Sequence, residues 1–191
     1  MGRVVGVADG DTVTVLDADG TQHKIRVAGI DAPEKKQPFG QRSKASMSNL
    51  VFGKDVVVMG SKRDRYGRLV GKVLVADSSC TARTCPKTLD AGLAQITTGM
   101  AWWYRQYARE QSAEDAGTYE LAEQDARDRH VGLWRDAAPI PPWEWRRATH
   151  PQSGQRFPRW VASIDLIFVR SYIMQIGKEQ CHEQAKDRGH Y

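Results

Sequence analysis

β-branched runs broken by Gly- and Asp-centred turns fill residues 3–77, and this alternation narrows the fold more than any other feature of the chain. Val4, Val5 and Val7 make the first run. The stretch "DTVTVLDADGTQHKIRVAGI" holds two more around Asp19-Gly20, a dipeptide that accepts the positive φ a tight hairpin needs. "KDVVVMG" and "GRLVGKVLVAD" add two further strands, and Gly71 marks a bulge or a close backbone approach. Between these runs, "QRSKASMSNLVFG" has helical composition and a stop at Gly53. Five short strands with interposed helices suggest a small closed antiparallel barrel, of which the OB-fold is the commonest kind.

Residues 88–134 change to helical character. "TLDAGLAQITTGMAWWY" offers Thr88 as an N-cap and puts Leu89, Leu93 and Ile96 on one face. "SAEDAGTYELAEQDARDRHVGLW" starts at Ser112, places acids early and Arg127, Arg129 and His130 late, and meets Gly132 as a stop. The Pro- and Arg-rich "DAAPIPPWEWRRATHPQSGQRFPR" reads as an extended arm or linker. Residues 160–177 are apolar again, either as a helix packed on the domain or a second subunit, or as a loosely attached tail. The expected class is α+β, mainly β: a five-stranded OB-fold barrel with about three helices and a C-terminal extension. The domain would span residues 1–136, with an arm and tail over 137–191. Trp102 and Trp134 are assigned to core, while Trp143 and Trp145, beside Arg146 and Arg147, either strap onto the domain or grip nucleic acid.

Composition excludes some classes. The 191 residues are 40% hydrophobic and 27% charged, enough apolar material for a real core. No apolar run is long enough to cross a bilayer, so no membrane partner is expected. Lys plus Arg number 28 against 23 Asp plus Glu, a net +5 that favours polyanionic partners without specifying one. Met1-Gly2-Arg3 leads straight into strand-like sequence with no apolar h-region. The expected location is secreted or periplasmic if a leader is missing from this chain, and cytoplasmic otherwise. Cys80 and Cys85 bracket Thr-Ala-Arg-Thr and are either two loop thiols or one small disulfide ring, while Cys181 has no local partner.

Five charged residues fall at turn-like junctions of the strand region. Asp11 opens a strand after Asp9-Gly10; Arg26 lies inside the next; Asp31 and Glu34 straddle Ala32-Pro33; Arg68 follows Tyr66-Gly67. Two carboxylates with a backbone carbonyl form an oxygen-only site that suits a hard cation such as Ca²⁺ or Mg²⁺. Glu34 is then a candidate base for water, and two arginines can hold a phosphate through paired N–H donors. Each residue also has a plain structural reading. Asp9-Gly10-Asp11 can be a turn, Asp31-Ala32-Pro33-Glu34 a strand stop, and Arg26 a cross-strand partner. Arg68 can be half of a surface pair with Asp64. Arg26 and Asp31 have opposite strand parity, so a shared site demands a bend near Gly29.

The segments "VADGDTVTV", "KIRVAGIDAPE", "FGQRSKA" and "DRYGRLVGKV" resemble, in order and spacing, those of the thermonuclease family, the staphylococcal-nuclease-like domains. The likeness covers about residues 3–134, and "LDAGLAQITTGMAWWY" is similar to the family's segment after the barrel. It implies a calcium-dependent nuclease, a hydrolase cutting phosphodiester bonds of DNA or RNA to leave 3′-phosphate products. It further implies Ca²⁺ on Asp11, Asp31 and the Ala32 carbonyl, where the family prototype has Thr at the Ala32 position. Glu34 would activate or orient the attacking water, and Arg26 and Arg68 would bind the scissile phosphate. Arg65 and Tyr66 would contact substrate. The prototype's later tyrosine pair has no clean match, although Tyr104 and Arg105 lie near its place. A single-stranded substrate and a monomer are expected. The rival readings are a noncatalytic nucleic-acid-binding module on the same fold and an interaction protein acting through residues 139–177.

Overall fold

The computed structural model describes residues 1–82 and 84–149. The readings of Cys181 and of a helix or loose tail over 160–177 lie outside the described residues. Met1–Thr149 forms one unit by its internal contacts. Its elements run β1 (Gly2–Val7), β2 (Thr12–Leu16), β3 (Gln22–Val27), β4 (Ile30–Asp31), α1 (Gly40–Val51), β5 (Asp55–Arg63) and β6 (Leu69–Ala76). They continue with β7 (Lys87–Asp90), α2 (Ala91–Thr97), β8 (Trp102–Trp103), α3 (Ala113–Asp128) and α4 (Pro142–Thr149), with short 3-10 turns before and after α3.

The five long strands close into a barrel. Antiparallel pairing runs β3-β2-β1-β5-β6, and β3 meets β6 in parallel register, Ile25 opposite Leu69 and Arg26 opposite Val70. The sequence suggested an all-antiparallel barrel; the closing pair is parallel, so the barrel is mixed. Closure leaves β7 as a short addition on β6 and sets β4 and β8 apart as a separate antiparallel pair. The period-two pattern fills the interior: Val4, Val13, Val15, Ile25, Val27, Val56, Val73 and Val75 are all at most 4% exposed. Burying such a side chain stabilises the fold by roughly 1.5–3 kcal/mol each. Gly71 marks a close approach, as a Cβ there would sit 2.7 Å from the Met59 carbonyl, opposite the register shift in β5.

Local choices explain the helices. Ser112 caps α3 by accepting from the Asp115 N–H, with Glu114 and Asp115 in the first turn and Arg127 in the last. Thr88 does not cap α2: it lies in β7, and the Asp90 carboxylate caps instead, accepting from the Gly92 and Leu93 N–H groups. The helical reading of residues 88–104 also overran, since Trp102 and Trp103 pair with β4 as a strand. The stretch read as an extended arm holds a helix over Pro142–Thr149, with proline at its first position, where a missing N–H costs nothing. Trp102, Trp134, Leu133 and Ala126 form a second apolar cluster that Trp143 of α4 joins. Cys80 and Cys85 are disulfide-bonded, with Cα atoms 6.0 Å apart. Among the described residues, no helix is long and apolar enough to cross a membrane.

Candidate active site

Asp11 stands at the mouth of β2 because its loop has nowhere else to go. A Cβ on Gly10 would overlap the Ser43 Oγ of α1 and come within 2.8 Å of Ala32 Cβ, so only glycine admits this packing. Buried Gln95 of α2 ties the loop down, donating from Nε2 to the Gly10 carbonyl at 2.9 Å and to the Ser43 carbonyl at 3.0 Å. The Asp11 N–H closes a small turn onto Asp9 Oδ1 at 3.1 Å. Cross-strand register then puts Thr12 opposite Arg26.

Gly29 supplies the bend. Its φ is +76°, and a Cβ there would overlap the Gln111 amide and the Tyr119 ring. The turn resets strand parity, so Arg26 of β3 and Asp31 of β4 reach the same place despite their opposite parity. Asp31 is 1% exposed and Asp11 5%. One guanidinium spans both carboxylates: Arg26 pairs with Asp11 Oδ1 through one nitrogen and with Asp31 Oδ1 at 2.8 Å through the other. Asp11 Oδ2 accepts from the Ala32 N–H at 2.7 Å, fixing the two loops to each other.

Arg68 arrives from the β5–β6 hairpin. Asp64 holds it at both ends, accepting from the Arg68 backbone N–H at 3.0 Å and from its Nε at 2.7 Å. The plain pairing with Asp64 therefore exists. An Arg68 terminal nitrogen donates to Thr12 Oγ1 at 3.4 Å, and Thr12 Oγ1 donates to Asp11 Oδ1 at 3.0 Å. Arg65 and Arg68 both lie over the Tyr66 ring, at 5.0 and 5.4 Å from its centroid, and Tyr66 is 69% exposed at the hairpin tip. That ring is open to solvent between two cations.

Sequence reasoning missed two participants, Thr12 and Arg146. Arg146 of α4 donates to Glu34 Oε1 at 2.7 Å, to Asp31 Oδ2 at 2.7 Å and to Asp31 Oδ1 at 3.2 Å. Partial burial works against its charge, but the hydrogen bonds it donates to Asp31 and Glu34 carry its pKa above the ordinary arginine value. Glu34, Arg146, Asp31, Arg26, Asp11, Thr12 and Arg68 thus form one unbroken chain of polar contacts. Every one of the five charged residues singled out in the sequence belongs to it. Tyr104 borders the group: burial first, and the negative charge of Asp31 second, raise its pKa. Its ring stacks on Trp143 with centroids 5.5 Å apart.

The oxygens that would face a cation are those of the Asp11 and Asp31 carboxylates and the Ala32 carbonyl, an oxygen-only set of the kind Ca²⁺ takes, although all four carboxylate oxygens already accept from Arg26, Arg146, Thr12 or the Ala32 N–H. The set is small. Among the described residues, no group of three or more His, Cys, Asp and Glu side chains is arranged to hold a metal. Two carboxylates would leave most of a sphere of roughly six to eight oxygens to water and substrate.

Comparison with known proteins gives the family. Residues 24–136 match the family model described as staphylococcal nuclease homologue. The chain is 40% identical over 149 residues to Protein ParB of Escherichia coli, covering 78% of this chain and 80% of that one. It is 39% identical over 148 residues to a micrococcal nuclease of Shigella flexneri, covering 78% and 81%. It is 40% identical over 145 residues to an uncharacterized endonuclease of Escherichia coli O157:H7, covering 76% and 84%. With the closed barrel, the bent β3–β4 junction and a family match over most of the barrel and α3, the chain belongs to the staphylococcal nuclease homologue family.

Proposed function

We propose that this chain is a calcium-dependent nuclease that hydrolyses phosphodiester bonds of single-stranded DNA or RNA and leaves 3′-phosphate ends. Family membership and relatives named endonuclease and micrococcal nuclease carry the hydrolase class itself. The observation that supports the site is the continuous polar chain from Arg68 to Glu34, which links two aspartates and Glu34 through the guanidiniums of Arg26, Arg68 and Arg146. Asp11, Asp31 and the Ala32 carbonyl would hold Ca²⁺, which when bound supplies positive charge against the phosphate oxygens.

The protein's own groups divide the work. Glu34 accepts a proton from the attacking water, a contribution of roughly 10²–10⁴-fold. The water oxygen bonds to phosphorus, and the 5′ oxygen departs with the bonding pair and takes its proton from solvent. Arg26 and Arg68 donate N–H bonds to the phosphate as its charge grows, each worth about 10²–10³-fold by analogy with other preorganised donors. Arg65 and Tyr66, exposed at the hairpin tip, contact the chain beyond the scissile bond. An aromatic face open to solvent favours an unpaired base over a stacked duplex.

The test is digestion of a labelled oligonucleotide, single- and double-stranded, across a Ca²⁺ titration with an EGTA control, with the new ends checked for phosphate. Cleavage that needs Ca²⁺, is faster on the single strand and leaves 3′-phosphate supports the proposal. Cleavage indifferent to EGTA, or 5′-phosphate ends, overturns it.

A further inference from the structure

Glu34 lies in residues 32–39, which form neither helix nor strand. Yet a base must be held within hydrogen-bond reach of one water. Two contacts from beyond the barrel hold this segment. Gln37, only 7% exposed, accepts from the Glu34 N–H at 3.0 Å and donates from Nε2 to the Ile140 carbonyl at 2.6 Å. Arg146 bridges the Glu34 carboxylate to both oxygens of Asp31. One clamp fixes the backbone and the other the side chain, and both come from residues 140–146. The clamp is itself docked: Pro142 is buried, and Trp143 stacks on Tyr104 and meets Trp102 edge-on at 5.7 Å.

We propose that Arg146 is a positioning residue of the hydrolytic site, with α4 completing the site by aiming the Glu34 carboxylate beside Asp31. This rests on the nuclease reading above. The planar fork of arginine suits the task, as it fixes two carboxylates in one plane, which a lysine point charge cannot do. The same contact sets two effects against each other. Arg146 places positive charge on Asp31 and so opposes a cation there, while it orients the base that the reaction needs. Its removal therefore tightens cation binding and slows turnover.

Three variants of the full chain separate the possibilities: Arg146→Ala, Arg146→Lys and, as a control on the same helix, the exposed Arg147→Ala. Steady-state cleavage gives kcat and KM, calorimetry gives Ca²⁺ affinity without turnover, and thermal melts report folding. The expected result for R146A is kcat lower by about 10–100-fold, the size seen when a group that orients a catalytic ligand is lost. KM for the oligonucleotide stays near wild type, and Ca²⁺ binds more tightly. R146K restores the weaker Ca²⁺ affinity but not kcat, and R147A matches wild type in both. An R146A kcat equal to or above wild type overturns the proposal and makes the contact inert or a plug. Weaker Ca²⁺ binding with a lower melting temperature in R146A also overturns it, in favour of a purely structural role. A wild-type chain inactive with Ca²⁺ sinks the nuclease reading and this inference with it. An active wild type with unaffected R146A sinks this inference alone.

Discussion

Replacing Gly29 with alanine perturbs the one backbone position that brings Arg26 and Asp31 together. The φ of +76° costs an L-residue about 1–2 kcal/mol. The new Cβ would also overlap the Gln111 amide and stand 2.9 Å from the Tyr119 ring, an overpacking worth about 1–3 kcal/mol. Together these predict a loss of about 2–5 kcal/mol. Gly20→Ala is the matched control. Its φ is +79°, but a Cβ there meets nothing within 4 Å, so only the backbone cost of about 1–2 kcal/mol applies. Urea unfolding of both variants gives the difference directly, provided the m-values match wild type. Activity measured where both are folded should fall for G29A and hold for G20A, because only Gly29 precedes β4 and carries the carbonyl that accepts the Tyr104 N–H at 2.9 Å. A G29A loss no larger than that of G20A, with cleavage intact, refutes the claim that this bend assembles the site.

Other outcomes follow from buried polar contacts. Glu123 is 1% exposed and accepts from the Trp103 N–H at 2.9 Å, Arg105 at 2.7 Å and Arg127 at 3.1 Å. Glu123→Ala leaves the buried Trp103 N–H without its acceptor and takes a carboxylate from two partly exposed arginines, and should cost about 1–3 kcal/mol in a denaturant melt. The hydrogen bond from Lys72, at 2.8 Å, holds the Asp115 carboxyl below its ordinary 3.8. A depressed folded-state value means the stabilisation is complete above about pH 4 and is lost as pH falls through the folded value. Asp115→Asn should therefore lose stability at neutral pH and show a flatter acid limb, read from melts between about pH 2 and about pH 6. Reducing the Cys80–Cys85 bond should cost about 2 kcal/mol, the loop-closure value for so short a ring, measured by melts with and without dithiothreitol.

Much of this was legible in the residues. Period-two valines marked the strands and their buried faces, Asp19-Gly20 the β2–β3 hairpin, and Ser112 the start of α3. Failures came where tertiary pairing overrode local preference. Lys87–Asp90 and Trp102–Trp103 sit in a helix-like composition, but each finds a strand partner, in β6 and β4. The five charged site residues were visible because each lies at a turn or strand end, and Gly29 was readable as their bend. Arg146 was not, for it lies 112 residues from Glu34 and nothing local sets that register. The run of Trp143, Trp145, Arg146 and Arg147 drew notice as strap or grip. Pro142 at a first helical position was the overlooked sign that this arm is a helix.

The proposed hydrolysis turns on Glu34, held beside Asp31 by Arg146, taking the proton of the attacking water. Single-turnover cleavage of a labelled oligonucleotide by Glu34→Gln, at saturating Ca²⁺, tests it most directly. The variant keeps the side chain's size and can still accept from Arg146, but gives up a base worth roughly 10²–10⁴-fold. The expected rate is lower by that factor, with Ca²⁺ and oligonucleotide binding retained. A Glu34→Gln chain that cleaves as fast as wild type contradicts it.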